Sequence, residues 1–257
     1  DFIVVGGGTA GAVVASRLSE NPNWTVLLVE AGGEETVLSD LPLAYSALQL
    51  SPLDWQFKTE PSGTSCLGMK GGRSSWPRGK VIGGSSVLNA MLYIRGNAKD
   101  YDLWEEQGNP GWCYKSVLPY FMKSEDIRIP ELMGSPYHGR GGYVQVEEYR
   151  YYSVITDSFL EAGREMGYPI RDVNGAHQFG FTKSHGTLRD GLRCSTSKAF
   201  LRPLKKRKNL HILLNSYVEK VMIADTKRGK MATGICLKKK GIIPRIVRAR
   251  KEVIISG

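Results

Sequence analysis

Apolar and polar positions follow two different periods at the start of the chain, and each period predicts one kind of element. Phe2 to Val5 form a short apolar run rich in β-branched residues, which is typical of a buried strand. Gly11, Ala15 and Leu18 then recur at helical spacing. A second apolar run, TVLLVE at 25–30, follows. The pattern predicts a compact βαβ unit.

The same reading extends along the rest of the chain. It predicts helices at about 98–107, 114–125, 153–167 and 195–204, and strands at 210–224, 232–239 and 245–256. Pro119 removes a backbone donor, so we expect the second helix to be kinked or in two pieces. Ser195 is the expected N-cap of the last helix. The closing strands predict a small β-meander that leads back into the first unit, and the fold class is α/β.

The first turn carries the clearest chemical signal. Gly6, Gly8 and Gly11 form Gly-x-Gly-x-x-Gly between strand and helix, and Glu30 ends the next strand. Such glycines turn the chain, admit a pyrophosphate and let helix and strand pack, while the acid accepts from ribose hydroxyls. A carboxylate would repel a 2′-phosphate, which disfavours NADP. This motif predicts dinucleotide binding but leaves NAD and FAD open.

A second glycine-rich stretch, WPRGKVIGGSSVLNAMLYIRG at 76–96, favours FAD. A nicotinamide enzyme has no need of it, whereas a flavin must also be held flat with its reactive edge exposed. Backbone amides of the Gly-Gly-Ser-Ser turn could line the pyrophosphate, with the hydroxyl of Ser85 or Ser86 as a further donor. The amide of Asn89 could hold a ribityl hydroxyl or the ring edge.

The segment GKVIGGSSVLNAMLYIRGNAKDYD resembles the first signature of the glucose–methanol–choline (GMC) family of FAD-dependent oxidoreductases, most of all its insect glucose-dehydrogenase-like branch. VEAG, DWQFKTEP, YHGRGGYVQV and GLRCSTSKAFLRP resemble the same family. The resemblance implies oxidation of a CH–OH group of an alcohol or sugar, with hydride transfer to flavin N5. It implies cofactor contacts at Gly6, Gly8, Thr9, Ala10, Gly11, Glu30, Ala31, Arg78, Val81, Gly84, Ser85, Asn89, Ala90, Met91, Leu92 and Val218.

The resemblance also implies a Rossmann-like FAD/NAD(P)-binding domain with an inserted, here incomplete, α+β substrate domain. Its expected parts are 1–110 for the first FAD-binding part, 111–190 for the start of the substrate region, and 191–257 for the meander and return strand. We expect an N-terminal fragment, because the family's catalytic histidine lies further along its members. The alternative is a non-catalytic, truncated flavin-binding paralogue.

The cysteines, histidines and charged residues are the candidates for a metal site, a catalytic base and a charged binding surface. The four cysteines are scattered without metal-ligand spacing, so no metal site is predicted. His138, His177, His185 and His211 lie outside any catalytic motif; we name no catalytic base and expect ordinary surface or loop histidines. The net charge of +10 reflects 16 Lys and Arg against three Asp and Glu in 201–257.

That basic excess fits solvated turns and strand faces better than a nucleic-acid surface, since aromatic side chains are not interleaved with it. No membrane span is expected, and the family resemblance favours a secreted protein. The substrate and the electron acceptor, oxygen or a quinone-like carrier, stay open.

Overall fold

The computed structural model describes residues 1–227, 229–239 and 243–257. Its α-helices are α1 Thr9–Leu18, α2 Val37–Asp40, α3 Tyr45–Leu48, α4 Ala98–Glu106, α5 Tyr114–Ser124 and α6 Ile155–Glu165. Its strands are β1 Phe2–Val5, β2 Val26–Val29, β3 Phe57–Lys58, β4 Ser75–Trp76, β5 Glu125–Ile127, β6 Val144–Glu148, β7 His185–Gly186, β8 Leu188–Arg189, β9 Leu192–Arg193, β10 Leu210–Leu213, β11 Ser216–Thr226, β12 Gly229–Lys239, β13 Arg245–Arg248 and β14 Glu252–Ile255.

The chain forms two compact units. The first combines Asp1–Ala90 with Ser195–Gly257, and the second is Met91–Cys194. The first unit is therefore discontinuous in sequence. The functional domain limits at 110 and 190 stay a prediction; the compact units change at 90 and 194.

A parallel sheet organises the first unit, with strand order β10-β2-β1-β14. Alternate residues of β1 point to opposite faces, as in any strand. Phe2 and Val4 pack with Ala12 and Ala15 of α1, whereas Ile3 packs with Ile235 of the meander. The sheet is thus buried between α1 and the meander, which explains why its strands read as continuous apolar runs. The predicted α/β class is confirmed.

The meander is the antiparallel sheet β11-β12-β13. The sequence predicts a single strand over 210–224, but the structure breaks it at Asn215, which adopts φ +52°. Its first part, β10, joins the parallel sheet, and its second part, β11, joins the meander. The predicted strand at 245–256 is divided in the same way, into β13 and β14. Apolar alternation does not reveal which sheet a strand joins. Each of these two predicted strands therefore corresponds to two strands that belong to different sheets.

The second unit contains α4–α6 and the small sheet β5-β6-β7. Its core holds Ile127, Ile129 and Val146. Helix α5 runs unbroken past Pro119, so of the two predicted outcomes the division into two pieces is wrong, and the kink stays a prediction. The proline removes one amide donor from this 11-residue helix. Within the described part of the chain, no helix has the length and apolar character to cross a membrane.

Candidate cofactor-binding site

The two glycine-rich turns touch each other in the first unit. The Gly83 amide donates to the Gly7 carbonyl at 2.7 Å. Gly84 has φ +55°, and a Cβ placed on it would lie 2.6 Å from the Cα of Gly8. A side chain at Gly84 would therefore collide with the backbone of Gly8, so the contact requires glycine at position 84. Residues 76 positions apart in sequence form one backbone surface.

This surface is one wall of a cleft of about 770 Å³, a volume within the range of small-molecule sites. Many residues that the sequence predicts as cofactor contacts line it: Gly6, Gly8, Thr9, Ala10, Glu30, Ala31, Arg78, Gly84, Ser85 and Val218. The cleft lies at the carboxyl ends of β1 and β2, where open parallel sheets bind ligands.

Helix α1 presents its N-terminus to the cleft. Gly8 is the N-cap residue and has no side chain with which to cap the helix, and the first turn carries no acidic residue. Thr9 and Ala10 of that turn line the cleft. The uncapped amides and the positive end of the helix dipole make this corner suited to an anionic group.

Glu30 directly follows the last residue of β2, and only 6% of its surface is exposed. Its Oε2 accepts from the Gly7 amide and its Oε1 from the Gly32 amide, both at 2.7 Å. Burial raises the pKa of Glu30, although these backbone bonds, one from Ala31 and the charge of Lys80 act against the rise. A carboxylate has about four acceptor positions, and three backbone amides use three of them, so one is left for a hydroxyl group of a ligand.

An aromatic wall at the cleft, made of Trp55, Phe57 and Tyr217, was missed by the sequence analysis. The rings of Trp55 and Phe57 stack with centroids 5.9 Å apart and planes 2° apart, and Tyr217 meets Trp55 edge-on at 6.1 Å. The segment DWQFKTEP was used only for its resemblance. Two aromatics two positions apart were the available signal, although Gln56 between them adopts φ +57° and the chain is not extended there.

Asp54 holds this wall to the second turn. Its carboxylate accepts from the amides of Leu50, Gln56 and Arg78 at 2.8–3.0 Å. Burial raises the pKa of Asp54, but the three amide donors outweigh it and leave the pKa below its usual value. The Asp54 carboxylate therefore connects the segment that carries Trp55 to the backbone of Arg78, a residue that lines the cleft.

Comparison with known proteins agrees with this geometry. The family model described as GMC oxidoreductase matches residues 1–257. The chain belongs to the GMC oxidoreductase family. It is 48% identical over 257 residues to a protein of Drosophila pseudoobscura pseudoobscura named glucose dehydrogenase [FAD, quinone], covering 100% of this chain and 41% of that protein. The predicted resemblance to the insect glucose-dehydrogenase branch is confirmed.

Other GMC relatives extend the comparison. Mitochondrial choline dehydrogenase of Mus musculus is 39% identical over 266 residues, covering 100% of this chain and 43% of that protein. The crystal structure of pyridoxine 4-oxidase from Mesorbium loti matches with a TM-score of 0.89 and 34% identity, covering 99% of this chain and 48% of that chain. The predicted Rossmann-like fold is confirmed. The chain spans about two-fifths of the length of the curated relatives.

Several residues with predicted cofactor roles lie outside the cleft lining of this GMC chain. Gly11 and Val81 are buried beside it; a Cβ on Gly11 would lie 1.9 Å from the Gly6 oxygen, so glycine allows the close packing of helix and turn. Asn89 and Ala90 end the first unit, and Met91 and Leu92 begin the second. The cofactor roles of all these residues stay predictions.

His138 corrects the expectation of ordinary surface or loop histidines. Its side chain is 0% exposed and lies between two carboxylates of the second unit. Nδ1 is 2.9 Å from Glu125 Oε1, and Nε2 is 2.8 Å from Asp172 Oδ2. Burial alone would lower the pKa of His138, but the bonds to Asp172 and Glu125 raise it to about 9. His177 and His211 are exposed, as expected, and His185 is partly buried.

Proposed function

We propose that this chain binds FAD in the cleft of the first unit and forms the flavin-binding part of an oxidoreductase that acts on a CH–OH group of an alcohol or sugar. The contact of the two glycine turns on one cleft carries the proposal. Bound FAD would supply the acceptor for the hydride that leaves the substrate carbon. The family membership and the FAD-dependent name of an insect relative support it.

The pyrophosphate is the part of FAD that the backbone fits best. The amides at the start of α1 and the bare surface of Gly8 and Gly84 offer donors and close approach. Ser85 accepts from the Gly79 amide at 3.2 Å, which leaves its own O–H available to donate into the cleft. Glu30, with one acceptor position remaining, suits a hydroxyl of the adenosine ribose.

The aromatic wall suits the adenine ring. Lys80 Nζ lies over the Trp55 ring, 4.5 Å from its centroid, whereas the Phe57 ring that stacks with Trp55 is half-exposed at the cleft. Tyr217 and Val218 lie next to each other at the start of β11. Stacking of a base on an aromatic face contributes without specific hydrogen bonds. Val218, for which the family resemblance implies a cofactor contact, would meet the adenine edge through its backbone.

We assign no catalytic base to the described residues. His138 is the most buried histidine of those described, but both ring nitrogens already hold carboxylates, and a pKa of about 9 keeps it protonated at neutral pH. A general base must be deprotonated and within reach of the substrate hydroxyl. The cofactor contacts that the resemblance implies at Asn89, Ala90, Met91 and Leu92 stay predictions.

A spectrum of the purified full-length protein tests the binding step. FAD binding predicts the two visible flavin bands, retained through gel filtration and released on denaturation as FAD. A colourless protein that takes up NAD instead would overturn the proposal.

Anaerobic addition of alcohols and sugars then tests the reaction. Bleaching of the visible bands by one of them identifies the substrate class, and reoxidation by oxygen or by a quinone identifies the electron acceptor. A protein that holds FAD but is bleached by none of a broad panel would favour the non-catalytic paralogue. A secreted location stays a prediction, to be checked by locating the native protein in culture medium or cell lysate.

A further inference from the structure

Thr196 makes a hydrogen-bonded connection to the second glycine turn from a distant part of the chain. It is 9% exposed and belongs to the segment Ser195–Ser197 of the first unit. Its amide donates to Ser86 Oγ at 3.1 Å. Its hydroxyl is 3.1 Å from the same oxygen and 3.4 Å from the Gly83 carbonyl oxygen. These contacts join residues 110 positions apart in sequence.

The direction of each bond follows from the atoms present. Ser86 donates its only hydroxyl hydrogen to the Gly83 carbonyl at 2.5 Å. Its oxygen can therefore act only as an acceptor toward Thr196, from the amide and from the hydroxyl. Thr196 thus supplies both donors: its amide donates to Ser86 Oγ, and its hydroxyl lies within reach of both Ser86 Oγ and the Gly83 carbonyl, the end point of the network.

This network holds the backbone that forms the cleft wall. Gly83 and Gly84 adopt φ +94° and φ +55°, in the left-handed region. Gly83 bonds to Gly7 of the first turn, and Gly84 lies against Gly8. Neither Ser86 nor Thr196 is among the residues that line the cleft. The hydrogen bonds of Ser86 and Thr196 therefore support the backbone of the cleft wall without either residue lining the cleft.

Thr196 is itself fixed by the residue before it. The Ser195 hydroxyl donates to Glu35, whose side chain is 0% exposed and also pairs with Arg202 at 2.8 Å. The Ser195 oxygen accepts from the Lys198 amide at 3.1 Å, as its predicted capping role requires, although the turn that follows is a π-helical one, Ser197–Leu201. Residues that do not touch a ligand can set the geometry of its site only if they are themselves held in place, and these bonds hold Thr196.

We propose that Thr196 is a positioning residue for FAD: through Ser86 it holds the Gly83–Ser85 backbone in the conformation that receives the cofactor. The inference rests on the proposed FAD binding and adds to it a residue that does not touch the cleft.

The test compares Thr196→Val, which keeps the shape and the amide but loses the hydroxyl, with Thr196→Ser, which keeps the hydroxyl. Thr233→Val is the matched control, because Thr233 Oγ1 also donates to a backbone carbonyl, that of Met222 at 3.1 Å, in the meander. In the full-length protein, the dissociation constant for FAD is measured by flavin fluorescence after removal of the cofactor. The visible circular dichroism of the bound flavin is recorded as well.

We expect Thr196→Val to raise the dissociation constant about three- to tenfold, the range for loss of one hydrogen bond, and to change the flavin dichroism. Thr196→Ser should restore both, and Thr233→Val should leave both as in the wild type. Equal affinities in Thr196→Val and wild type would overturn the inference while leaving FAD binding intact. A wild-type protein that binds no FAD would instead remove the proposed function, and this inference with it.

Discussion

At the scale of single residues, Glu30 shows how one side chain can serve fold and site together. Its two oxygens hold the amides of Gly7 and Gly32, and so tie the first glycine turn to the chain that leaves β2. A Cβ on Gly32 would lie 2.0 Å from the Lys80 oxygen, so this chain also runs directly against the second turn. Glu30 therefore organises the cleft before any ligand is present.

Glu30→Gln should weaken both the stability of the fold and the binding of FAD. The amide keeps the shape, but its NH2 group must face one of two backbone N–H donors, which leaves a buried donor unpaired at a cost of about 1–3 kcal/mol. We expect a lower free energy of unfolding in urea and FAD affinity reduced about tenfold or more. Glu20→Gln is the control, because Glu20 is exposed and pairs with Arg17 at the surface. Equal behaviour of the two variants would contradict the role given to Glu30.

The sequence reveals Glu30 but not the setting of His138. Glu30 is found by its fixed spacing from the glycine motif, because a βαβ unit is a local structure. His138 lies in a loop, and its partners Glu125 and Asp172 are 13 and 34 positions away. Nothing local in the sequence states that these three side chains are buried together, so the expectation of an ordinary histidine was the wrong one.

At the scale of elements, the contact of the two turns depends on Gly84. The left-handed φ and the close approach to Gly8 are separate reasons for glycine at this position. The first alone disfavours a residue with a Cβ by about 1–2 kcal/mol. The second requires backbone to move, because the nearest atom is a Cα and not the end of a flexible side chain.

Gly84→Ala and Gly63→Ala separate these two effects. Gly63 has φ +74°, and a Cβ there would meet nothing within 4 Å. We expect both variants to lose about 1–2 kcal/mol of unfolding free energy to the backbone conformation, and Gly84→Ala to lose about 1–3 kcal/mol more to overpacking. Only Gly84→Ala should weaken FAD binding. The measurements are urea unfolding and FAD titration, and similar losses in both variants would show that the turns do not press on each other.

Elements were more predictable from the sequence than the sheets they join. The βαβ unit, α4 and α6 were found within a few residues because their apolar periods are local. The division of the predicted strand 210–224 at Asn215 was not predicted. Apolar alternation continues across the break, and an asparagine in the sequence does not indicate whether it adopts φ > 0. The sequence predicts that both turns line the pyrophosphate of one cofactor but not that they touch, and the aromatic wall, which has no such motif, was missed.

At the scale of the whole molecule, the second unit contains a buried network whose charges balance only while His138 is protonated. Arg95 and His138 are the cations, and Glu125 and Asp172 are the carboxylates. Arg95 Nη2 lies 2.8 Å from Glu125 Oε2, with both side chains at most 1% exposed. Tyr93 and His185 face the same groups; burial raises the pKa of Tyr93 to about 12 and lowers that of His185. Loss of the His138 proton would leave two buried carboxylates facing one cation.

This network predicts the alkaline limit of stability. The pKa of His138 is about 9 in the folded protein, above its ordinary value of 6.5, so protonation stabilises the fold. That contribution is complete below about pH 6.5 and is lost as the pH rises through 9, at most about 3 kcal/mol in all. His138→Gln removes the titration, so its unfolding free energy should change less between pH 6.5 and 9.5 than that of the wild type, even though it is lower throughout. His211→Gln, at an exposed position of β10, should retain the wild-type slope. Urea unfolding across this range makes the measurement, and parallel profiles for His138→Gln and the wild type would show that the buried histidine does not set the limit.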